Sequence, residues 1–255
     1  MKKLIYTIVV FLILHCTLYI ENCICQWVQC EYIGGNVYSF AVSGNNPEDS
    51  GQVIFAGTNK GVYLSTNSGQ NWWWTALNNQ SVMSLLAISG NNPEDTGQVI
   101  FAGTYWNGVY LSTNNGITWT QTALNNRCVY SLVISENNHE DTGQVIFAGT
   151  ANNGVYLTTD NGTTWTQTTL NNRTVLCLAI SGNNTEDSGQ VIFAGTYYGL
   201  YLSTNNGTTW TQIAFKNRTV KCLAISRNNP EDSGQVIFAG TDANGVYLST
   251  NNGQN

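Results

Sequence analysis

The chain has 255 residues, 42% of them hydrophobic but only 9% charged, with a net charge of −6 and a pI near 4.7. Its length suits one large all-β domain, and so few charges leave Asn, Thr, Ser and Gly to cover the surface. Without a basic stripe, nucleic acid is excluded as an expected partner.

Residues 1–25 read as a secretory leader. Lys2 and Lys3 precede an uncharged run at 4–14, and a polar stretch at 15–26 follows. The run is short for a membrane span, which needs ~20 residues. The expected mature protein, residues 26–255, is secreted to an extracellular or periplasmic space and has no membrane contact after cleavage. An uncleaved anchor extended through Ile20 is the alternative. Removing the leader reduces seven cysteines to Cys30, Cys128, Cys177 and Cys222, with no metal-ligand spacing among them. Cys177 and Cys222 fall where Ser39 and Ser131 stand in other repeats, as small buried residues on inner strands.

The string Gln-Val-Ile-Phe-Ala-Gly-Thr begins at Gln52, Gln98, Gln144, Gln190 and Gln235, in three steps of 46 residues and one of 45. Such a period marks supersecondary units that bury their apolar faces only by stacking. In the second unit, residues 84–89 form a short apolar strand and 90–97 a turn-rich segment. Residues 98–104 form a second strand, 105–108 a loop, and 109–113 an alternating third strand. Asn114-Asn115-Gly116 signals a tight hairpin, because Asn and Gly accept positive φ. Residues 118–123 complete a fourth strand around Trp119. No segment keeps a helical period. The expected fold is an all-β, five-bladed β-propeller of four-stranded antiparallel blades. Gln26-Trp27-Val28-Gln29 resembles Thr118-Trp119-Thr120-Gln121, while the sequence stops at Gly253-Gln254-Asn255 inside the fifth hairpin. Residues 27–31 are therefore expected to pair with 246–250 and close the last blade. The competing reading is a fragment of a larger ring. A closed ring has no free sheet edges, and a monomer is expected.

The third-to-fourth strand hairpins read Ser65-Thr-Asn-Ser-Gly-Gln-Asn-Trp72, Ser112-Thr-Asn-Asn-Gly-Ile-Thr-Trp119, Thr158-Thr-Asp-Asn-Gly-Thr-Thr-Trp165 and Ser203-Thr-Asn-Asn-Gly-Thr-Thr-Trp210, with a fifth beginning at Ser249. They resemble the Asp-box, or BNR, motif S-x-D-x-G-x-x-W of sialidase-type propellers. The sequence looks most like the branch holding xyloglucanases, sortilin-type receptors and photosystem II assembly factors. Only Asp160 keeps the family's acid; Asn67, Asn114, Asn205 and Asn251 replace it. These residues, with Trp72, Trp119, Trp165 and Trp210, are expected to be structural, since a short acceptor can bond the N–H groups of its own turn.

The resemblance implies, for an enzyme, either a sialidase's arginine cluster with a Tyr–Glu pair and an acid, or a xyloglucanase's two carboxylates. Ten of the fifteen acids sit instead as pairs in the first-to-second strand turns: Glu48-Asp49, Glu94-Asp95, Glu140-Asp141, Glu186-Asp187 and Glu231-Asp232. Those turns share the Asp-box face, which in this family lies opposite the active site. Two carboxylates per turn fall short of the six to eight oxygens Ca²⁺ wants, so solvated charge is expected, with no metal and no cofactor. Few acids are left for the other face, chiefly Asp242 and after it Glu31. No catalytic set is recognisable, and a binding module is favoured over a glycoside hydrolase or an assembly scaffold.

Binding on a rigid scaffold falls to the loops that differ. The second-to-third strand loops carry Tyr105, Trp106, Asn153, Tyr197, Tyr198 and Asp242; the fourth-to-first connections carry Arg127, Arg173 and Arg218. Both sets are expected on one rim of the channel. The aromatics would offer planes to sugar rings or else pack between blades. The arginines would pair with carboxylate or sulfate or else be solvated. The expected ligand is a carbohydrate or a protein surface.

Overall fold

β-Branched and aromatic residues at alternate positions, punctuated by Gly and Asn, divide the chain into short strands and tight turns. The computed structural model describes Cys30 and residues 33–43, 52–88, 98–135, 145–181, 190–226, 236–251 and 253. The chain divides into two compact units, Met1–Glu31 and Tyr32–Asn255, and every described strand belongs to the second unit.

The strands make five antiparallel sheets, four of four strands and one of three. Blade 1 holds β1 (Val37–Val42), β2 (Ile54–Thr58), β3 (Gly61–Ser65) and β4 (Trp73–Asn78). Blade 2 holds β5 (Val82–Ile88), β6 (Val99–Thr104), β7 (Val109–Ser112) and β8 (Thr120–Gln121). Blade 3 holds β9 (Val129–Ile134), β10 (Ile146–Thr150), β11 (Gly154–Thr158) and β12 (Thr166–Gln167). Blade 4 holds β13 (Val175–Ile180), β14 (Ile192–Thr196), β15 (Gly199–Ser203) and β16 (Thr211–Ala214). Blade 5 holds β17 (Val220–Ile225), β18 (Ile237–Thr241) and β19 (Gly245–Ser249). This is the five-bladed, all-β propeller arrangement expected from the repeats. The fourth strands β8 and β12 are shorter than the sequence suggests, two residues each. The strand proposed to close the last blade, residues 27–31, lies almost wholly outside the described residues, as do all five Glu-Asp turns.

The core is distributed over the junctions between blades. At the first, Phe55, Val62 and Leu77 of blade 1 meet Val82, Leu85, Ile100 and Ala102 of blade 2, with Trp119 packed alongside. The second and third repeat this pattern with Trp165 and Trp210. The fourth brings Phe193 and Leu200 against Val220, Ile237 and Ala239, without a Trp among the described residues. An apolar cavity of about 160 Å³ lies there, lined by Leu200, Phe215, Ile237, Ala239, Tyr247 and Leu248.

Hydrogen bonds fix the stacking. Ser84 Oγ accepts from the Leu132 N–H at 2.9 Å, and Ser131 Oγ accepts from the Leu178 N–H at 3.0 Å. Each hydroxyl thus ties one inner strand to the next. At the outer edge, the N–H of Ala76 donates to the Gly116 carbonyl and that of Ala123 to the Gly162 carbonyl, both at 3.2 Å. Of the inner strands, β1 packs on β5, β5 on β9, β9 on β13 and β13 on β17, but among the described residues no comparable packing joins β17 to β1. The outer faces of blades 1 and 5 remain exposed.

Candidate functional site

In each complete unit the second strand runs from the Asp-box end of the blade to the variable loops, so the two features mark opposite rims. The box rim is self-contained. Ser65, Ser112, Thr158, Ser203 and Ser249 each accept from the box glycine's N–H at 2.9 Å. Each hydroxyl also donates to the Oδ1 of Asn67, Asn114, Asp160, Asn205 or Asn251, at 2.7–3.1 Å. In the first four boxes that same oxygen accepts a backbone N–H four residues on, at 2.8–2.9 Å. The Trp72, Trp119 and Trp210 indoles donate to the box glycine's carbonyl, whereas Trp165 donates to Thr122 Oγ1 of the preceding blade at 3.2 Å. The box side chains are engaged with their own hairpins and with the neighbouring blade.

Asp160 shows why Asn serves in the other boxes. Its second carboxylate oxygen accepts from Thr164 Oγ1 at 2.6 Å, whereas the amides of Asn114 and Asn205 donate to Thr118 and Thr209 Oγ1. The threonine hydroxyl turns to suit either partner. Hydrogen bonds from Thr164, then from Thr158, hold the Asp160 carboxyl below its ordinary value of 3.8. A carboxyl lowered on folding stabilises the native state above its unfolded value, and that contribution is lost as pH falls through the folded value. Asp160→Asn is therefore expected to leave the melting temperature near neutral pH almost unchanged. It should flatten the loss of stability below about pH 4, as thermal melts across an acid pH series would register.

The opposite rim gathers the candidate ligand-binding residues. The loops there are pinned to the connections: the N–H groups of Tyr105, Ala151 and Asp242 donate to the carbonyls of Ser81, Cys128 and Thr219 at 2.9–3.0 Å. Trp106 and Tyr198 are 69% and 61% exposed, and Tyr105 and Tyr197 are also exposed. The Tyr105 ring stands edge-on to Trp106, 5.0 Å between centroids and 82° between planes, and packs 6.4 Å from Tyr130 of the next blade. Burial, then a bond to Cys128, pushes the Tyr130 hydroxyl up, with the Tyr105 and Tyr197 hydroxyls adding to the shift. The Tyr105–Tyr130 contact joins blades 2 and 3.

The arginines are anchored locally. Arg173 Nε donates to the Tyr201 hydroxyl at 3.2 Å, and its Nη1 to the Asn172 carbonyl at 3.1 Å. Arg218 Nη1 donates to the Tyr247 hydroxyl, with the guanidinium carbon 5.8 Å from that ring's centroid. Arg127 is half-buried and donates to the Asn126 carbonyl at 3.1 Å. The Asn153 carbonyl accepts from Gln167 Nε2 at 2.7 Å. Asp242 lies 3.4 Å from Lys221 in an exposed ion pair, of a kind worth little to stability. Burial pushes the Cys177 thiol up to about 12, with Cys222 adding to the effect. Cys177 is half-buried as an inner-strand residue should be, but Cys222 is exposed, since no described blade covers that face of β17. Among the described residues no group of His, Cys, Asp or Glu is placed to hold a metal ion, and no helix is long and apolar enough to cross a membrane.

Sequence reasoning missed Tyr130, Tyr201 and Tyr247. Tyr130 shares its strand position with Tyr38, Met83, Leu176 and Lys221, and that variation was the available signal. Tyr201 and Tyr247 occupy a position that is Tyr in all five units, so nothing in the sequence sets them apart from core.

The BNR/Asp-box repeat family model matches residues 110–121. No curated protein matches the chain. Among solved structures, an ancestral GH74 enzyme aligns with a TM-score of 0.59 at 20% identity, covering 85% of this chain and 31% of that one. The extracellular domain of a putative one-component system from B. thetaiotaomicron aligns at 0.61 and 20% identity, over 88% of this chain and 28% of that one. YCF48 from Cyanidioschyzon merolae aligns at 0.55 and 14% identity, over 88% and 72%. The chain thus spans less than a third of the first two proteins. The likeness is one of fold: a β-propeller, with one BNR/Asp-box repeat matched in its second blade.

Proposed function

We propose that the chain is a secreted, non-catalytic binding module that recognises carbohydrate through the rim of variable loops. The observation that carries this reading is the exposed aromatic set Tyr105, Trp106, Tyr197 and Tyr198. Flat apolar rings with polar edges suit ligands that are apolar on one face and wet on the other. Tyr130 packs against Tyr105, which reduces the ordering cost of binding. Arg173 and Arg218, held by tyrosine hydroxyls, add anchored donors on the same rim. The leader-like segment at 1–25 is the basis for secretion.

The reading without catalysis is supported by where the carboxylates stand. Glycoside hydrolysis by the usual routes needs two carboxyl groups roughly 5–9.5 Å apart across the scissile bond. The two acids among the described residues, Asp160 and Asp242, belong to opposite rims. Related loops repeated around one rim offer several weak contacts, which favours a repetitive polysaccharide through avidity.

A glycan array tests the proposal. Saturable binding is expected, weakened by about tenfold or more in Trp106→Ala, with the melting temperature unchanged because this side chain packs little. Loss of binding together with stability would count against a direct contact. Hydrolysis abolished by Asp242→Asn would instead make the chain a glycoside hydrolase. Capture of one stoichiometric protein without any glycan signal would make it a scaffold.

A further inference from the structure

The four junctions follow one rule, and the two outer faces of the array carry the same side chains without cover from any other described residue. On the leading face, Phe55 with Val62, Phe101 with Val109, Phe147 with Val155 and Phe193 with Leu200 are at most 3% exposed. The same positions in blade 5 are Phe238, 43% exposed, and Val246, 72% exposed. On the trailing face, Val82, Val129, Val175 and Val220 are fully buried against the preceding blade. Their counterpart Val37 is 39% exposed, and Phe40, in the place of buried Leu85, Leu132 and Leu178, is 60% exposed. Contiguous uncovered apolar surface of this kind marks an interaction site. What covers it at every formed junction is a blade of this same repeat.

We propose that these two faces dock on each other between molecules, with blade 1 of a second copy seated on blade 5 of the first. The occupant follows from the repeat. Phe193 and Leu200 are covered by Val220, Ile237 and Ala239, and blade 1 offers Val37, Ile54 and Ala56 at the equivalent positions. The box glycine also has a counterpart: Gly207 lies against the Phe147 ring, and Gly253 against that of Phe193. Gly69 of blade 1 is the matching element for Phe238, and Trp72 stands where Trp119, Trp165 and Trp210 pack on the blade before. The two patches differ from each other, so the contact is heterologous and propagates head to tail. A sealed ring would leave the monomer expected from the sequence, whereas the proposed contact joins copies.

Sedimentation velocity of the full chain over a rising concentration series tests this, using wild type, Val246→Arg and Val37→Arg. Wild type should form assemblies that grow with concentration. Each variant alone should be monomeric, having lost one half of the contact. Mixed in equal amounts they should form dimers, because Val37→Arg keeps an intact blade 5 and Val246→Arg an intact blade 1. Wild type that stays monomeric throughout overturns the proposal, and so do assemblies indifferent to both substitutions or a mixture without dimers. A lower melting temperature in monomeric Val246→Arg would mean that the chain's own residues cover blade 5, and overturns it as well. Circular dichroism checks that the variants are folded, and Phe40→Arg repeats the test should Val37→Arg fail that check.

Discussion

Replacing Phe147 by alanine is expected to cost about 3–5 kcal/mol of unfolding free energy, while Phe238→Ala costs about 1 kcal/mol or less in dilute protein. The two residues occupy the same position of the same repeated string, so intrinsic propensity is identical and only packing differs. Phe147 is buried between blades 3 and 4 among Val155, Val175, Ile192 and Ala194. Gly207 of the next box lies over its ring, where a Cβ would come within 3.0 Å. Truncation leaves a ring-sized hole whose walls are main chain and β-branched side chains, and these collapse poorly. Phe238 is half-exposed on the uncovered side of blade 5, so its loss removes little packing and creates no enclosed space. Stacked repeats draw much of their stability from interfaces with nearest neighbours, and failure of one junction should be felt across the unit. Denaturant unfolding of both variants at low concentration measures the difference. Equal costs would mean that blade 5 is as well covered as blade 3.

The blades were legible because each rests on local chemistry repeated five times. Continuous apolar Val-Ile-Phe-Ala runs can be buried on both faces only by pairing and stacking, and Asn-Gly hairpins fix which strands are neighbours. The placement of the variable loops and arginine connections on a common rim followed from strand direction alone. What lay beyond the sequence is tertiary. Arg173 finds Tyr201 across a blade boundary, and no spacing rule reports that a tyrosine present in every unit also acts as an acceptor. Tyr130 sits on an inner strand, where an aromatic side chain reads as packing rather than as part of a rim. The curvature of the array is likewise absent from the sequence: near-identical repeats imply near-identical junctions, but not how many close a circle. Val37 and Val246 show the consequence, since both hold positions whose valine counterparts in other blades are buried and both are exposed.

Glycine at the head of the third strand supplies the second large effect. Gly154→Ala is expected to cost more than about 3 kcal/mol, and Gly245→Ala about 1 kcal/mol. Both glycines have left-handed backbone, φ +70° and +77°, so both substitutions carry the same local penalty. They differ in what a side chain would meet. A Cβ on Gly154 would fall inside the van der Waals envelope of the Leu170 carbonyl oxygen, whereas at Gly245 nothing among the described residues lies within 4 Å. Relief at Gly154 requires the outer segment to move, but it is held on both sides: the Val155 N–H donates to the Leu170 carbonyl at 2.9 Å and the Gly154 N–H to the Arg173 carbonyl at 2.8 Å. Thr150 Oγ1 adds a bond to the Gly154 carbonyl, also at 2.8 Å. The same displacement would carry Arg173 and Asn153 with it, so ligand binding on that side of the rim should weaken along with stability. Thermal melts of the two variants, paired with glycan binding, separate the clash from the shared backbone strain. A Gly154→Ala protein no less stable than Gly245→Ala would show that the outer segment of blade 3 yields freely, and that the rim it supports is not rigid.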